Sequence, residues 1–513
     1  MLFRATLLAA ALAVATPALA QPKDTLSVGI AAQDIGQLDP HFAVSTIDRV
    51  IAAWMFNGLV RFPPGVNDPA KLEPDLAQSW DTSSDGRTWT FHLRHGVQFH
   101  GGFGELTADD VVFSLKKAGD AKTSAFASEL RPFQTIEAID PYTVRIVLRE
   151  NVPNLLGIVT NYAQGFIVSK KAVEQRGDDF KRNPIGTGAY AFASVTPNQS
   201  LELKAHEGYF RGAPKIKTIS YRFIPSDASR GLAFQNNELD VNYGRADQAW
   251  VNRTKAQPHT IVDIFEPAEE AQLHLNTTVK PFDDIRVRQA VAYAINRPEL
   301  VRWRGADVAR EAQSVVPRGY LGFTADNGLP ANNIDKAKSL LKEAGFPDGI
   351  TVKMIQSQLP EMLTAAQVFQ AQLKKAGINL DMQVVEHATF HQQIRQDLST
   401  MVYYSAARFP VADVTLTQFF HSRSIVKTPT AVTNFSHCNV ADAEIDAARG
   451  ETDRAKQLAL WAEAQKKIVA AVCGVPMFET LQVYARHDNL DYGYKLEGSM
   501  SLGPMITEAT HFK

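Results

Sequence analysis

His92, His95 and His100 fall close together in the chain, and His387 and His391 stand four residues apart, the spacing of one helical turn. Imidazole is the commonest protein ligand for Zn or Ni, so these are the first places to look for a metal. Such a site needs three or four converging donors. Around Phe91-His92-Leu93-Arg94-His95 the strand-like alternation sends neighbours to opposite faces, and Arg94 adds positive charge beside any cation. Surface or hydrogen-bonded histidines are the simpler reading at both places, and no metal or other cofactor is expected. The sequence contains no Walker-type phosphate loop, no G-x-S-x-G elbow, no H-E-x-x-H and no C-x-x-C. A hydrolase would need a nucleophile, base and acceptor that the residues do not supply in any familiar pattern. Two cysteines, Cys438 and Cys473, can close one structural loop in an oxidising compartment or remain two buried thiols.

Chemistry of this kind needs elements to hold it, and their order sets the fold class. Ile350-Thr351-Val352-Lys353-Met354-Ile355 alternates like a strand, Glu361 to Ala376 carries Ala365, Ala366, Phe369, Leu373 and Ala376 on one helical stripe, and Leu380 to Val385 alternates again. Strand, helix and strand at this spacing predict a right-handed parallel unit. Upstream, Ala337, Leu340, Leu341 and Ala344 mark a helix stopped by Gly345; Val287 to Ile295 mark another, and Asn296-Arg297-Pro298-Glu299 reads as the cap of a third. Helices and strands interleave from about Asp284 to Phe420. The earlier region differs: Thr88 to Leu93, Tyr142 to Leu148 and Leu201 to Lys204 read as short strands between Gly, Pro and Asp turns. The expected class is α/β with mixed α+β parts, and there is no internal repeat.

At 513 residues the chain holds several domains' worth of material, and 45% hydrophobic with 21% charged residues is an ordinary globular balance. A formal charge of −2 supplies no long-range field to hold nucleic acid or acidic lipid. Met1 to Ala20 carries Arg4, an apolar stretch from Ala5 to Val14, and Ala18-Leu19-Ala20, which together read as a cleavable secretory leader cut before Gln21. No cysteine lies near that site to receive a lipid, and Val469 to Phe478 is apolar but too short to span a bilayer. The mature chain is expected free in solution outside the cytoplasm.

Longer stretches carry a resemblance. Glu73-Pro74-Asp75-Leu76-Ala77-Gln78-Ser79-Trp80, then Asp85-Gly86-Arg87-Thr88-Trp89-Thr90-Phe91-His92-Leu93-Arg94-His95-Gly96-Val97-Gln98-Phe99-His100, resemble the signature of the family 5 extracellular solute-binding proteins, the receptors of peptide and nickel ABC importers. Leu106 to Phe113, Pro184 to Tyr190, Leu239-Asp240-Val241, Leu275-Asn276-Thr277 and Phe282 to Ala290 follow in the family's order. Most of these residues have a structural role: Asp85-Gly86 suits a tight turn, and Trp89, Phe91 and Leu93 form one buried strand face. The resemblance implies a two-lobed periplasmic-binding-protein fold of the class II or cluster C type, with an extra α+β subdomain on the first lobe. It divides the chain into a leader at 1–20, a lobe I core at 21–60, 186–268 and 486–513, the extra subdomain at 61–185, and lobe II at 269–485. A monomer closing on a small solute and docking on the permease subunits of an ABC importer is the implied behaviour.

In parallel α/β lobes a ligand lies beyond the carboxyl ends of strands. Here those ends are Gln356 and the segment Tyr403-Tyr404-Ser405-Ala406-Ala407-Arg408. Dipeptide receptors of the family place an Asp, which holds the ligand ammonium, where alignment puts Arg408, and an Arg for its carboxylate where Gln356 stands. An Arg at that place repels an ammonium and gives a carboxylate two parallel hydrogen bonds. The resemblance therefore implies a small organic or peptide-like solute with an acidic group on Arg408, with Tyr403, Tyr404 and Ser405 around it. Asp39 and His41 match a family segment near the cleft, where a structural turn is as good a reading. The nickel receptors carry a Trp where Ser405 stands and an Arg where Tyr162 falls, so a nickel-chelate receptor fits less well than a di- or oligopeptide-like one. A secreted hydrolase on the same scaffold and a holdase chaperone are the alternatives from other classes.

Overall fold

The computed structural model describes residues 23–152, 154–427 and 433–513, so the expected leader at 1–20 lies outside the described residues. A nine-stranded mixed sheet organises the molecule. Its spatial order is Met401–Ala406, Thr260–Leu275, Gly474–His487, Val241–Tyr243, Thr25–Ile30, Thr218–Phe223, Ser200–Ala205 and Tyr190–Thr196, with Ala309–Glu311 paired off this path to Gly474–His487. Thr25–Ile30 runs parallel to both of its neighbours, and its Leu26, Val28 and Ile30 are buried, as alternation of branched residues requires.

Two strands are unusually long. Thr260–Leu275 and Gly474–His487 pair antiparallel from Thr260/His487 to His274/Gly474, and the register slips between Phe265 and Glu269, where Pro267 has no N–H to give the ladder. Below the slip, Phe265 and Tyr484 pack into a core with Val28, Trp54 and Tyr221. Beyond it, Leu273, Val475 and Phe478 pack into a second core with Val291, Leu341 and Phe369. The same pair of strands thus belongs to both halves of the molecule.

A four-stranded antiparallel sheet, Ala77–Thr82, Thr88–Leu93, Thr143–Leu148 and Phe133–Asp140, extends the first core beneath the helix Ala108–Ala118. Thr107 and Asp110 cap that helix reciprocally. The Pro184 to Tyr190 run has a packing reason as well: a Cβ on Gly186 or Gly188 would collide with the Met55 backbone. The expected parallel unit forms, with Ile350–Ser357 beside Ile378–Val385 and the helix Pro360–Lys375 between them in sequence. It stays a two-stranded pair. Met401–Ala406 does not extend it but pairs antiparallel with Thr260–Leu275.

A third core lies between the halves. Phe62 and Tyr162 from the first half meet Tyr320, Phe409, Leu416 and Trp461, and the disulfide Cys438–Cys473 is embedded in it. Phe62 and Phe409 have ring centroids 5.5 Å apart.

Candidate functional site

The outer half of Thr260–Leu275 reads Glu270-Ala271-Gln272-Leu273-His274-Leu275, a polar and apolar alternation in which every residue is buried. Ala271, Leu273 and Leu275 enter the second core, so Glu270, Gln272 and His274 face the other way. Opposite them stand Thr415 and Phe419 on the helix Ala412–Phe420, Pro317 and Tyr320 from the preceding connection, and Tyr404, Ala406 and Arg408. Together these residues line one pocket.

Four polar groups lining this pocket have an atom without a hydrogen-bond partner: Glu270 Oε2, Gln272 Oε1, His274 Nδ1 and Thr415 Oγ1. Their residues are 4%, 5%, 2% and 4% exposed, so bulk water does not satisfy them. An unsatisfied buried polar group costs about 1–3 kcal/mol, and four converging on one cavity mark a place built for something else to enter. Glu270 Oε1 accepts Gln272 Nε2 at 2.7 Å. Burial, with the neighbouring Glu479 carboxyl, pushes the Glu270 carboxyl well above the usual range, so it holds its proton. Glu479 itself is bound by Arg310 Nε at 2.5 Å and by the Arg318 backbone N–H at 2.9 Å. His274 is likewise neutral, pushed by burial down to about 3.

Arg408 supplies the charge at this pocket. Its Nε donates to Gln418 Oε1 at 2.6 Å and its NH1 to the Ala407 carbonyl at 3.0 Å, while its plane lies over Phe419 at 5.1 Å. Tyr320 fixes its backbone, accepting from the Arg408 N–H at 2.8 Å and donating to its carbonyl at 2.7 Å. Among the described residues no carboxylate pairs with it. Burial disfavours its charge, but Tyr404, Tyr162 and Tyr320 around it outweigh that and hold the guanidinium charged.

On the opposite face of the same strands lies a second charged group. Burial raises the Glu269 carboxyl, Glu361 adds to that, and Arg49, Arg304 and Arg408 oppose it. Arg49 comes from the helix Thr46–Met55 in the first half, with its guanidinium 5.4 Å from the Tyr162 ring. Arg304 lies over Phe478 at 5.7 Å.

The expected site residues divide. Arg408 and Tyr404 line the pocket, and Tyr162 sits in the core beside it. Tyr403 lies on the other face, its ring 5.3 Å from Phe369, and Ser405, two residues on, shares that face. Gln356 is fully buried, donates to the Ser357 carbonyl at 3.3 Å, and does not line this pocket. Asp39 and His41 are placed elsewhere: Asp39 caps the short helix Pro40–Phe42 and binds Lys117 at 2.8 Å, while His41 Nδ1 faces Lys117 Nζ at 3.2 Å and Nε2 reaches the Phe166 carbonyl. The histidine clusters separate too. His92 meets Asp81, His95 stacks on Tyr142 and His100 bonds the Gly188 carbonyl, whereas His387 and His391 keep their Nε2 atoms 3.2 Å apart. Sequence reading missed Glu270, Gln272, His274 and Thr415. The alternation from Glu270 to Leu275 was the signal for three of them; Thr415 had none.

Two halves joined by shared strands, with a polar pocket in the second and an arginine there that has no carboxylate partner among the described residues, have the build of a solute-binding receptor. Residues 71–426 match the family described as bacterial extracellular solute-binding proteins, family 5, and the chain belongs to that family. Among solved structures it is similar to the PBP/SBP MoaA from A. tumefaciens R10, in complex with mannopinic acid, at 51% identity, covering 96% of this chain and 100% of that one, with a TM-score of 0.91. It also resembles the peptide-bound DppA of Helicobacter pylori at 24% identity, covering 96% and 98%, with a TM-score of 0.85, a likeness of fold. A curated relative, the glutathione-binding protein GsiB of Salmonella paratyphi A, is 28% identical over 492 residues, 93% of this chain and 92% of the relative. The two-lobed fold and the role of importer receptor are those of the family. Among the described residues no helix is long and apolar enough to cross a membrane.

Proposed function

We propose that this chain is the periplasmic receptor of an ABC importer for a small acidic solute of the opine-acid type, which it binds by closing its lobes and releases unchanged. The observation that carries the reading is Arg408: a charged guanidinium, without a carboxylate partner among the described residues, at a pocket whose other polar groups are neutral or unsatisfied. A carboxylate there receives charge-assisted hydrogen bonds worth about 1.5–3 kcal/mol each. The 51% identity to a mannopinic acid complex supports the same class of cargo. On this reading the leader at 1–20 is removed on export, the protein acts as a monomer, and the lobes divide at 21–60 with 186–268 and 486–513, and at 269–485, with 61–185 as the added subdomain. The two core clusters and the strands shared between them support that division.

The test is thermal denaturation with mannopinic acid, short peptides and glutathione, since a solute bound only by the native form raises its melting temperature. Mannopinic acid should raise it and be recovered intact. Arg408→Glu should abolish the shift. A shift by peptides alone, or an Arg408→Glu response equal to wild type, overturns the reading, and time-dependent product from the solute overturns the receptor role.

A further inference from the structure

Within that reading, the four unsatisfied groups tell what the uncharged part of the cargo must be. Gln272 Oε1 can only accept, because its Nε2 is already committed to Glu270 Oε1 at 2.7 Å and to the Val315 carbonyl at 3.2 Å. Thr415 Oγ1 donates and accepts, and His274 Nδ1 does either according to tautomer. Glu270 Oε2, with its carboxyl protonated, is a donor. An ammonium carries donors only and would leave the Glu270 carboxyl O–H unmet. An apolar chain would leave all four unmet at about 1–3 kcal/mol each. Hydroxyl groups are neutral, and each both donates and accepts, so a run of them satisfies the whole set without bringing charge into a space walled by Phe419, Pro317 and Tyr320. Glu270, Gln272 and His274 lie at every second residue of one strand, a row about 13 Å long at the backbone, so they offer a molecule several points of contact rather than one.

We infer that Glu270, Gln272, His274 and Thr415 form a subsite for a polyhydroxylated chain, and that Arg408 at its side holds the carboxylate of the same molecule. The subsite rests on the acidic-solute reading above but assigns residues that Arg408 does not involve. It makes these four the residues that separate hydroxylated acids from plain ones.

Mannopinic acid joins a mannitol chain to glutamic acid, so calorimetric titration with mannopinic acid, glutamic acid and mannitol separates the parts. Wild type should prefer mannopinic acid to glutamic acid by tenfold or more. Thr415→Val and, independently, Gln272→Met should weaken mannopinic acid by about tenfold each, one hydrogen bond's worth, and leave glutamic acid within about twofold. Both variants are checked for an unchanged melting temperature without solute, and either one that folds decides the matter. Glu270→Gln keeps a neutral donor and should hold affinity within about threefold. Equal affinity of wild type for the two acids, or equal losses for both acids in Thr415→Val and Gln272→Met, overturns the subsite while leaving the acidic-solute reading intact. A collapse of binding in Glu270→Gln overturns it in favour of an ammonium held by an ionised Glu270. Binding of neither acid by wild type overturns both.

Discussion

Gln418 Oε1 accepts the Nε–H of Arg408 at 2.6 Å, and the same amide turns its Nε2 to Glu129 Oε1 at 2.7 Å. Arg408 follows the strand Met401–Ala406 and Gln418 lies on the helix Ala412–Phe420, whereas Glu129 comes from the short helix Ala127–Leu130 of the other half. One side chain thus orients the charged group of the pocket and touches the facing lobe. On the proposed reading, the anion site at Arg408 and the contact between the halves share a residue.

Gln418→Leu removes both bonds without changing volume much. Solute affinity is expected to fall by about tenfold, while the melting temperature without solute stays near that of wild type. Titration calorimetry on the acidic solute reads this directly, and an unchanged dissociation constant would separate Gln418 from the site.

Phe409 packs on Phe62 across the halves at 5.5 Å, an aromatic contact worth about 0.5–1.5 kcal/mol beyond its buried area. Phe409→Ala should therefore favour the open arrangement. Small-angle scattering without solute should give a larger radius of gyration than wild type, and saturating solute should bring the two together. Identical radii in the absence of solute would count against a closure held by this contact.

The Cys438–Cys473 bond joins residues 35 apart in sequence, inside the core that also holds Trp461 and Phe420. Restricting a loop of that size in the unfolded chain stabilises by about 3–4 kcal/mol. Replacing both with serine should lower the denaturant midpoint of that half, and solute binding at low denaturant should persist because neither residue lines the pocket.

Burial pushes His100 down to about 3, with Nε2 donating to the Gly188 carbonyl and Nδ1 accepting from the Gly186 N–H. The folded state binds fewer protons than the unfolded one between pH 6.5 and about 3, so this contribution is whole above 6.5 and lost as pH falls through that window. Buried acids such as Glu270 act in the opposite sense, so the comparison is with a variant. The melting-temperature advantage of wild type over His100→Gln at pH 7.5 should shrink steadily towards pH 4; a constant advantage would contradict it.

The local elements were readable because their signals are local. Gly345 and Gly377 end their helices with φ of 93° and 88°, and Asn296 accepts from the Glu299 N–H as a helix cap should. The family resemblance placed Arg408 and Tyr404 at the pocket. Tyr403 and Gln356 are a different matter: which face of a strand turns towards the pocket depends on the partner strand, and the expected parallel unit from Ile350 to Val385 gave no reason to look at Glu270 to Leu275. Thr415 becomes part of the pocket only when the helix Ala412–Phe420 folds over that face. Asp39 and His41 follow from a lysine 76 residues beyond His41, a pairing no local pattern announces.

The two long strands that run through both cores have a mechanical consequence. Their ladder is interrupted between Phe265 and Glu269 and again between Ala271 and Gln272, so a swing of the lobes at the first gap would leave the hydrogen bonds on either side of it made. On the proposed reading, capture and release flex this ribbon where ladder hydrogen bonds are already missing and rebuild no secondary structure, which returns the receptor to the same starting geometry after each delivery.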